Sequence, residues 1–207
     1  MKKVMLSAVV LTAFTPSAIA EIEPYIGVGV GTVKVDMGGS LASTYPKVGV
    51  FRGGATFNQW IGVEGELSMG IASDDSFETR STSYDYITDV DFKAGGAVFA
   101  VGHLPIGDNF SFFGRLGGFL QQTDYKQSIV DNSANQTIAS RELEETEHGF
   151  AYGLGIDFYI PDSTIGFRLD YTRYDVQAVQ DEFDGEFYEA RNDATADALT
   201  GSLMFRF

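Results

Sequence analysis

Between Phe150 and Ile160 the chain reads FAYGLGIDFYI, and every second residue of this stretch is apolar or aromatic. Successive side chains of a β-strand point to opposite faces, so this alternation predicts a strand with one apolar face. The same pattern predicts seven more strands, within residues 25–32, 47–57, 61–69, 91–104, 110–121, 165–172 and 199–207. The second and fourth of the eight strands alternate less regularly, so the pattern leaves their facing open.

The links between these strands differ in length. Residues 58–59, 105–109 and 161–163 are short, turn-forming links. The other connections include long polar stretches, at residues 36–46, 71–90, 124–147 and 173–194. Short turns at one end and long loops at the other are typical of outer-membrane β-barrels.

The first 20 residues predict a cleaved signal peptide. Two lysines precede an apolar run over residues 4–14, and Ala18 and Ala20 fit a cleavage site before Glu21. The apolar run is too short to cross a membrane as a helix. We therefore expect export of a single mature domain over residues 21–207.

The overall composition narrows the classes of function. Acidic residues outnumber basic ones by 29 to 14, which gives a formal charge of −15, and the chain has no cysteine. The negative charge argues against binding of nucleic acid. The absence of cysteine excludes a disulfide scaffold and a thiolate metal site.

Two architectures fit eight alternating strands. In a soluble periplasmic barrel or sandwich the apolar faces would point inward. In an eight-stranded antiparallel up-and-down transmembrane β-barrel they would face lipid, and closure would leave no unpaired edge in the hydrocarbon. The long loops, the strand lengths near ten residues and the aromatic residues near the turns favour the transmembrane barrel, with both chain ends in the periplasm.

A family resemblance supports the transmembrane barrel. Residues 104–118 read LPIGDNFSFFGRLGG, which looks like a turn-flanked hairpin of the small OmpA/OmpX-type outer-membrane barrels, and residues 58–64 and 155–171 resemble the same family. The resemblance implies location in the Gram-negative outer membrane. It covers the eight strands and not the loops. The chain stops at Phe207, so we do not expect the peptidoglycan-binding domain of long members, and Val101 stands where such barrels place an interior lysine.

The polar faces of the strands carry charges of both signs. If they face inward, the barrel contains Arg52, Glu64, Glu66, Lys93, Arg115, Asp157, Arg168, Asp170 and Arg206. An isolated charge inside so narrow a barrel costs several kcal/mol or more, so we expect ion pairs. In the barrels that this chain resembles, the positions of Glu64, Asp157 and Arg168 form a salt-bridge cluster that plugs the lumen and can act as a gate. The cluster is then a switchable conduit or inert filling that fixes strand register, and we favour filling.

No catalytic, cofactor or metal site is predicted. His103 precedes a short turn and His148 lies beside Glu147 at the outer rim, without a triad spacing that singles out a serine. Outer-membrane enzymes that edit lipid A share the predicted fold, so an envelope enzyme stays as a third alternative. The glycines at positions 27, 29 and 31 do not form a dinucleotide loop, because a strand follows where a helix should begin.

The predicted loops concentrate the negative charge. Residues 71–91, 124–147 and 173–193 hold 19 of the 29 acidic residues. They could bridge to lipopolysaccharide phosphates through divalent cations, capture a basic partner, or form a solvated repulsive surface, which is the usual role of a charge run. We expect a structural outer-membrane protein that maintains the envelope and displays loops for surface interaction or adhesion, with a narrow gated channel as the alternative.

The last strand carries an expected assembly signal. Leu203, Phe205 and Phe207 occupy alternate positions and form an apolar row that ends in an aromatic residue. In the barrels that this chain resembles, a terminal phenylalanine is read by the outer-membrane assembly machinery. The expected partners are therefore membrane lipid, lipopolysaccharide, this machinery and an external ligand of the loops.

Overall fold

The computed structural model describes residues 22–36, 45–72, 77–80, 84–131, 136–177 and 194–207. The expected signal peptide lies outside the described residues. The strands are β1 (Glu23–Asp36), β2 (Lys47–Thr56), β3 (Ile61–Ala72), β4 (Phe77–Arg80), β5 (Tyr84–Ile106), β6 (Phe110–Asp131), β7 (Gln136–Tyr159), β8 (Ile165–Gln177) and β9 (Ala194–Arg206). Within these ranges no helix is long and apolar enough to span a membrane.

Eight of these strands form a closed antiparallel barrel. Neighbours along the chain pair with each other from β1 to β3 and from β5 to β9, β1 pairs with β9, and β3 pairs with the lower part of β5. Among the described residues, the short strand β4 pairs with the upper part of β5 alone, outside the barrel. The prediction of an eight-stranded antiparallel barrel is confirmed, and closure leaves no sheet edge within the barrel itself.

The apolar faces of the strands point outward. Val98, Leu116 and Leu154 are each more than 60% exposed, whereas the alternate positions are buried. On β2, where the sequence left the facing open, Val50 and Arg52 point inward and Phe51 points outward. This arrangement is the reverse of a soluble barrel, because the apolar surface faces the environment and the charged groups fill the interior.

Two of the predicted loops are largely strand, which corrects the loop boundaries. Residues 84–90, 124–131 and 136–147 continue β5, β6 and β7 beyond the barrel in antiparallel ladders, with one register shift between Ile129 and Val130. Both faces of this part of the sheet carry many polar residues, so the sequence lacks the alternation that marks the lower strands. The strands of the protruding sheet were missed for that reason.

The three short turns have local causes. The Asn58 side chain accepts hydrogen bonds from the backbone N–H groups of Trp60 and Ile61, at 2.8 and 2.9 Å, which closes the β2–β3 turn. Gly107 has a φ of 72° in the β5–β6 turn, a conformation that costs other residues energy. Asp162 adopts a φ of 56° in the β7–β8 turn, and Asp tolerates this region better than most residues.

The interior has apolar layers beside its charged groups. An apolar collar lies towards the end of the barrel from which the sheet protrudes, formed by Val33, Val35, Val48, Val50, Ala196 and Ala198 with Phe92 packed against it. An apolar wall lines the inside of β5, β6 and β7, formed by Ala97, Phe99, Val101, Phe113, Phe119 and Ala151. Val101, at the position of the family's interior lysine, is 2% exposed in this wall.

Candidate functional site

The barrel interior holds a network of charged side chains that we call the ion network. It contains three arginines and four carboxylates from five strands, each at most 5% exposed: Arg52, Glu64, Glu66, Arg115, Asp157, Arg168 and Asp170. All seven were placed inside by the sequence argument. The structure also joins them directly, which their spacing along the chain could not show.

Arg52 links the carboxylates of two other strands. Its Nη1 and Nη2 atoms lie 2.7 and 3.2 Å from the two carboxylate oxygens of Asp170 on β8, and its Nε donates to Glu66 on β3 at 3.0 Å. The planar guanidinium suits this paired geometry, in which two parallel N–H groups meet one carboxylate. Arg52 therefore ties β2 to its neighbour β3 and, across the lumen, to β8.

Arg115 on β6 contacts three carboxylates. Its Nη1 donates to Glu64 and Glu66, at 2.9 and 2.8 Å, and its Nη2 donates to Asp170 at 2.8 Å. The Thr172 hydroxyl accepts a further hydrogen bond from Nε of Arg115, at 3.0 Å. One face of the guanidinium stacks on the Phe99 ring, 4.4 Å from its centroid. This arginine spans the lumen from the apolar wall to the opposite strands.

Arg168 on β8 completes the network towards the short turns. It donates from Nε and Nη2 to the two oxygens of Asp157, its cross-strand partner on β7, at 2.6 and 2.8 Å. Its Nη1 donates to Glu64, and its guanidinium lies 4.2 Å from the centroid of the Phe113 ring. Glu64, Asp157 and Arg168, which the family resemblance singled out, are thus in direct contact.

Two tyrosine hydroxyl groups add hydrogen bonds to carboxylates of the ion network. The Tyr25 hydroxyl donates to Glu64 at 2.8 Å, and the Tyr174 hydroxyl donates to Glu66 at 3.0 Å. Neither tyrosine is among the site residues predicted from the sequence. The alternation could have identified them. Tyr25 shares a face of β1 with the glycines, and Tyr174 shares a face of β8 with the charged residues.

Lys93 does not belong to the ion network, which corrects the prediction. Its side chain is 49% exposed and its ammonium lies 3.0 Å from Asp124. The pairing of β5 with β6 shifts register between Phe92 and Gly95, so the facing reverses at this point. Phe92 then packs against the apolar collar and Lys93 points outward.

The remaining candidates also lie apart from the network or at its margin. Arg206 stacks on Tyr159 near the short turns, with 4.3 Å between the guanidinium and the ring centroid. His103 is partly buried beside Phe113, with Nδ1 4.0 Å from Asp157. His148 is exposed and lies towards the opposite end of the barrel. The two histidines therefore share no site.

The sequence matches the outer membrane protein beta-barrel domain family over residues 5–207. This chain belongs to that family. The match supports location in the outer membrane. No curated protein sequence matches the chain.

Three solved structures share the fold of this outer-membrane barrel. Ail, the attachment invasion locus protein of Yersinia pestis, has 16% identity and a TM-score of 0.52, with 89% of this chain and 98% of Ail covered. Neisserial surface protein A has 11% identity and a TM-score of 0.51, with 89% and 97% covered. A major outer membrane protein of Thermus thermophilus has 10% identity and a TM-score of 0.56, with 89% and 99% covered.

The hydrogen bonds within the ion network limit the chemistry that it can perform. Each carboxylate accepts at least two hydrogen bonds from arginine or tyrosine, so its oxygens are engaged. Within the described ranges no group of three or more His, Cys, Asp or Glu side chains could hold a metal ion. The network thus holds strands together and fills the lumen of this outer-membrane barrel.

Proposed function

We propose that this protein is a sealed outer-membrane barrel that stabilises the envelope and carries a long sheet outside the cell for surface interaction or attachment. The main observation that supports this proposal is the length of β5, β6 and β7, which have 23, 22 and 24 residues, whereas β8 and β9 have 13 each. Residues 136–147 of β7 pair only with β6 in the described part of the chain. At about 3.4 Å per residue they extend about 40 Å beyond the β7–β8 ladder.

The closed interior favours display over transport. The ion network and the apolar wall fill the middle of the barrel, and the apolar collar lies between the network and the protruding sheet. An eight-stranded barrel has an interior just wide enough for side chains to fill. The exposed sheet is then the part of the molecule that is available to partners.

Charge suggests the kind of partner. The protruding parts of β5, β6 and β7 contain nine acidic and two basic residues over 84–92, 124–131 and 136–147. The Glu142 side chain is 64% exposed, and the Lys126 ammonium lies 3.7 Å from Glu142 and 3.9 Å from Asp91 across this sheet. A basic surface would be attracted to such a sheet. Ail, by its name an attachment and invasion protein, and a Neisserial surface protein share the fold, which is consistent with this role.

A shortened hairpin tests the proposal. Thr123 and Glu145 are cross-strand partners, so replacing residues 124–144 by Asn-Gly should reconnect β6 and β7 with a tight turn. We expect a folded barrel whose host bacteria attach poorly to epithelial cell layers and to a polylysine surface. A full-length variant with Glu142→Gln and Glu144→Gln is the control for charge alone. Undiminished attachment by the shortened variant would remove the sheet as the interaction surface.

A narrow gated conduit is the second candidate. The observation that favours it is the sharing of Arg168 between Asp157 and Glu64, because a small side-chain movement could exchange these partners. Conductance of the purified protein in planar bilayers separates the two candidates. We expect wild-type protein and Arg168→Gln to show no ion current while the collar stays closed. Current through the wild-type protein would favour the conduit.

The other expected roles belong to the same proposal. We infer that a signal peptide directs the chain to the envelope, and that the assembly machinery recognises the row of Leu203, Phe205 and Phe207. The first two side chains of this row face outward on β9, and Phe207 is 73% exposed.

An envelope enzyme is the least supported alternative, because the two histidines lie towards opposite ends of the barrel.

A further inference from the structure

The apolar outer surface changes to charged residues along one row of cross-strand partners. On β1, β9 and β8 the outward residues are apolar or weakly polar up to one register row and charged in the next. The first row is Thr32, Leu199 and Tyr171, and the second is Lys34, Asp197 and Arg173. Three neighbouring strands thus mark one border of the lipid-facing belt, on the side of the long links.

Arg173 is held at this border by a defined geometry. Its Nε and Nη2 atoms donate to the two oxygens of Asp197, at 2.7 and 2.9 Å, and the Tyr171 hydroxyl donates to the same carboxylate at 2.6 Å. These bonds fix one side of the guanidinium against the barrel wall. Its side chain is still 39% exposed, so the arginine also faces the membrane border.

The row has a net positive charge in a strongly negative chain. Lys34 and Arg173 flank Asp197 as its partners in the ladder, so the three side chains carry two positive charges and one negative charge. Tyr152, which lies opposite Arg173 on β7, is 44% exposed and adds an aromatic ring of the kind found where membrane meets water. The next row holds Asp36, Thr195 and Asp175, so the positive charge is confined to the row of Arg173. A hydrogen-bond-donating guanidinium at this depth fits an anionic lipid headgroup.

We propose that Arg173, positioned by Asp197 and assisted by the charge of Lys34, binds a phosphate group of an outer-leaflet lipid, the phosphorylated glycolipid of the Gram-negative surface. Arginine suits phosphate because its planar fork can donate two parallel hydrogen bonds. The charged residues of the patch lie on β8, β9 and β1, within the ladders of the barrel, whereas the protruding residues 136–147 of β7 lie beyond the β7–β8 ladder. The inference therefore does not depend on what the sheet binds.

Calorimetric titration with lipid A tests this site. Protein refolded in zwitterionic micelles is titrated with bisphosphorylated lipid A and with the dephosphorylated lipid, in a chelator so that acidic residues cannot bind through divalent cations. We expect saturable binding of the phosphorylated lipid by wild-type protein. Arg173→Gln should bind about tenfold more weakly, as loss of one charge-assisted contact predicts.

Lys93→Gln is the matched control, because it removes another exposed cation at an ion pair, on β5. We expect it to bind like wild type, and Arg173→Lys, which keeps the charge and loses the fork, to lie between the two. Heat-modifiable gel mobility shows that each variant is folded. Equal affinities of Arg173→Gln and Lys93→Gln, equal binding of the dephosphorylated lipid, or full competition by millimolar inorganic phosphate would each overturn a lipid-phosphate site at Arg173.

Discussion

Arg52 and Asp170 are 118 residues apart in the chain and meet inside the barrel through two hydrogen bonds, of 2.7 and 3.2 Å. The contact joins β2 to β8 although two strands, β1 and β9, lie between them in the sheet. It belongs to a network in which three arginines serve four carboxylates. The stability of the barrel should therefore depend on pairs and not on single residues.

Arg168→Ala tests this dependence. The change leaves Asp157 and Glu64 without their shared guanidinium in a buried site, so we expect a loss of about 3 kcal/mol in the free energy of unfolding. Adding Glu64→Ala should recover part of this loss, because one unpaired carboxylate is removed. Urea unfolding in lipid vesicles measures both effects. Additive losses in the double variant would show that the two groups do not interact.

Lys93→Gln should leave stability nearly unchanged. Lys93 pairs with Asp124 at an exposed site, where solvent screening leaves an ion pair with little effect on stability. The same unfolding assay compares it with the network variants. A loss as large as that of Arg168→Ala would place Lys93 among the buried charges and contradict the reversed facing at Phe92.

Gly107→Ala and Gly102→Ala form a pair of test and control in one hairpin. Gly107 has a positive φ, so a side chain there should cost about 1–2 kcal/mol. Gly102 lies in the strand, and an added Cβ would have no atom within 4 Å. We expect Gly102→Ala to be neutral or slightly stabilising. Equal effects of the two substitutions on the urea midpoint would argue against strain in the turn.

Cysteine labelling should establish the orientation of the barrel. The chain has no cysteine of its own, so single variants report without interference. We expect a membrane-impermeant maleimide to label Ser140→Cys, in the protruding sheet, on intact cells. Asn109→Cys, in the β5–β6 turn, should react only after the outer membrane is opened. The reverse pattern would invert the proposed topology.

Phe207→Gly should affect assembly more than stability. Phe207 is 73% exposed and its backbone N–H donates to Pro24 at 3.0 Å, a bond that glycine retains. If the assembly machinery reads this aromatic side chain, folded protein in cell membranes should fall several-fold while refolding in detergent is little changed. Heat-modifiable mobility on gels measures both. Equal losses in the two settings would leave Phe207 a packing role only.

The strands of the lipid-facing belt can be predicted from the sequence, whereas the protruding sheet and the register shift at Phe92 cannot. Alternation such as that from Phe150 to Ile160 reports a strand because one face meets lipid and the other a packed interior. Beyond the membrane that contrast is weaker, so residues 136–147 form a strand without a clear pattern. One register shift at Phe92 was enough to misplace Lys93. Such irregularities are set by pairing with a neighbouring strand and leave little trace in the residues themselves.

The sequence also predicted which charges are buried better than it predicted how they are joined. Alternation within a strand places Glu64 and Arg168 inside, but the contact between them depends on the register of several intervening strand pairs. Tyr25 and Tyr174 were missed because a tyrosine fits an outward aromatic position equally well. Their hydroxyl groups became meaningful only once the neighbouring carboxylates were located.

The long-range origin of the ion network has a consequence for the rate at which the barrel comes apart. The contacts of Arg52 with Asp170 and of Arg168 with Glu64 join residues 118 and 104 positions apart on strands that are not neighbours in the sheet, so we expect these two contacts to form only once the sheet closes. A contact that is made after the folding barrier leaves the folding rate nearly unchanged and slows unfolding. We therefore expect that removing these contacts shortens the lifetime of the inserted barrel far more than it delays insertion.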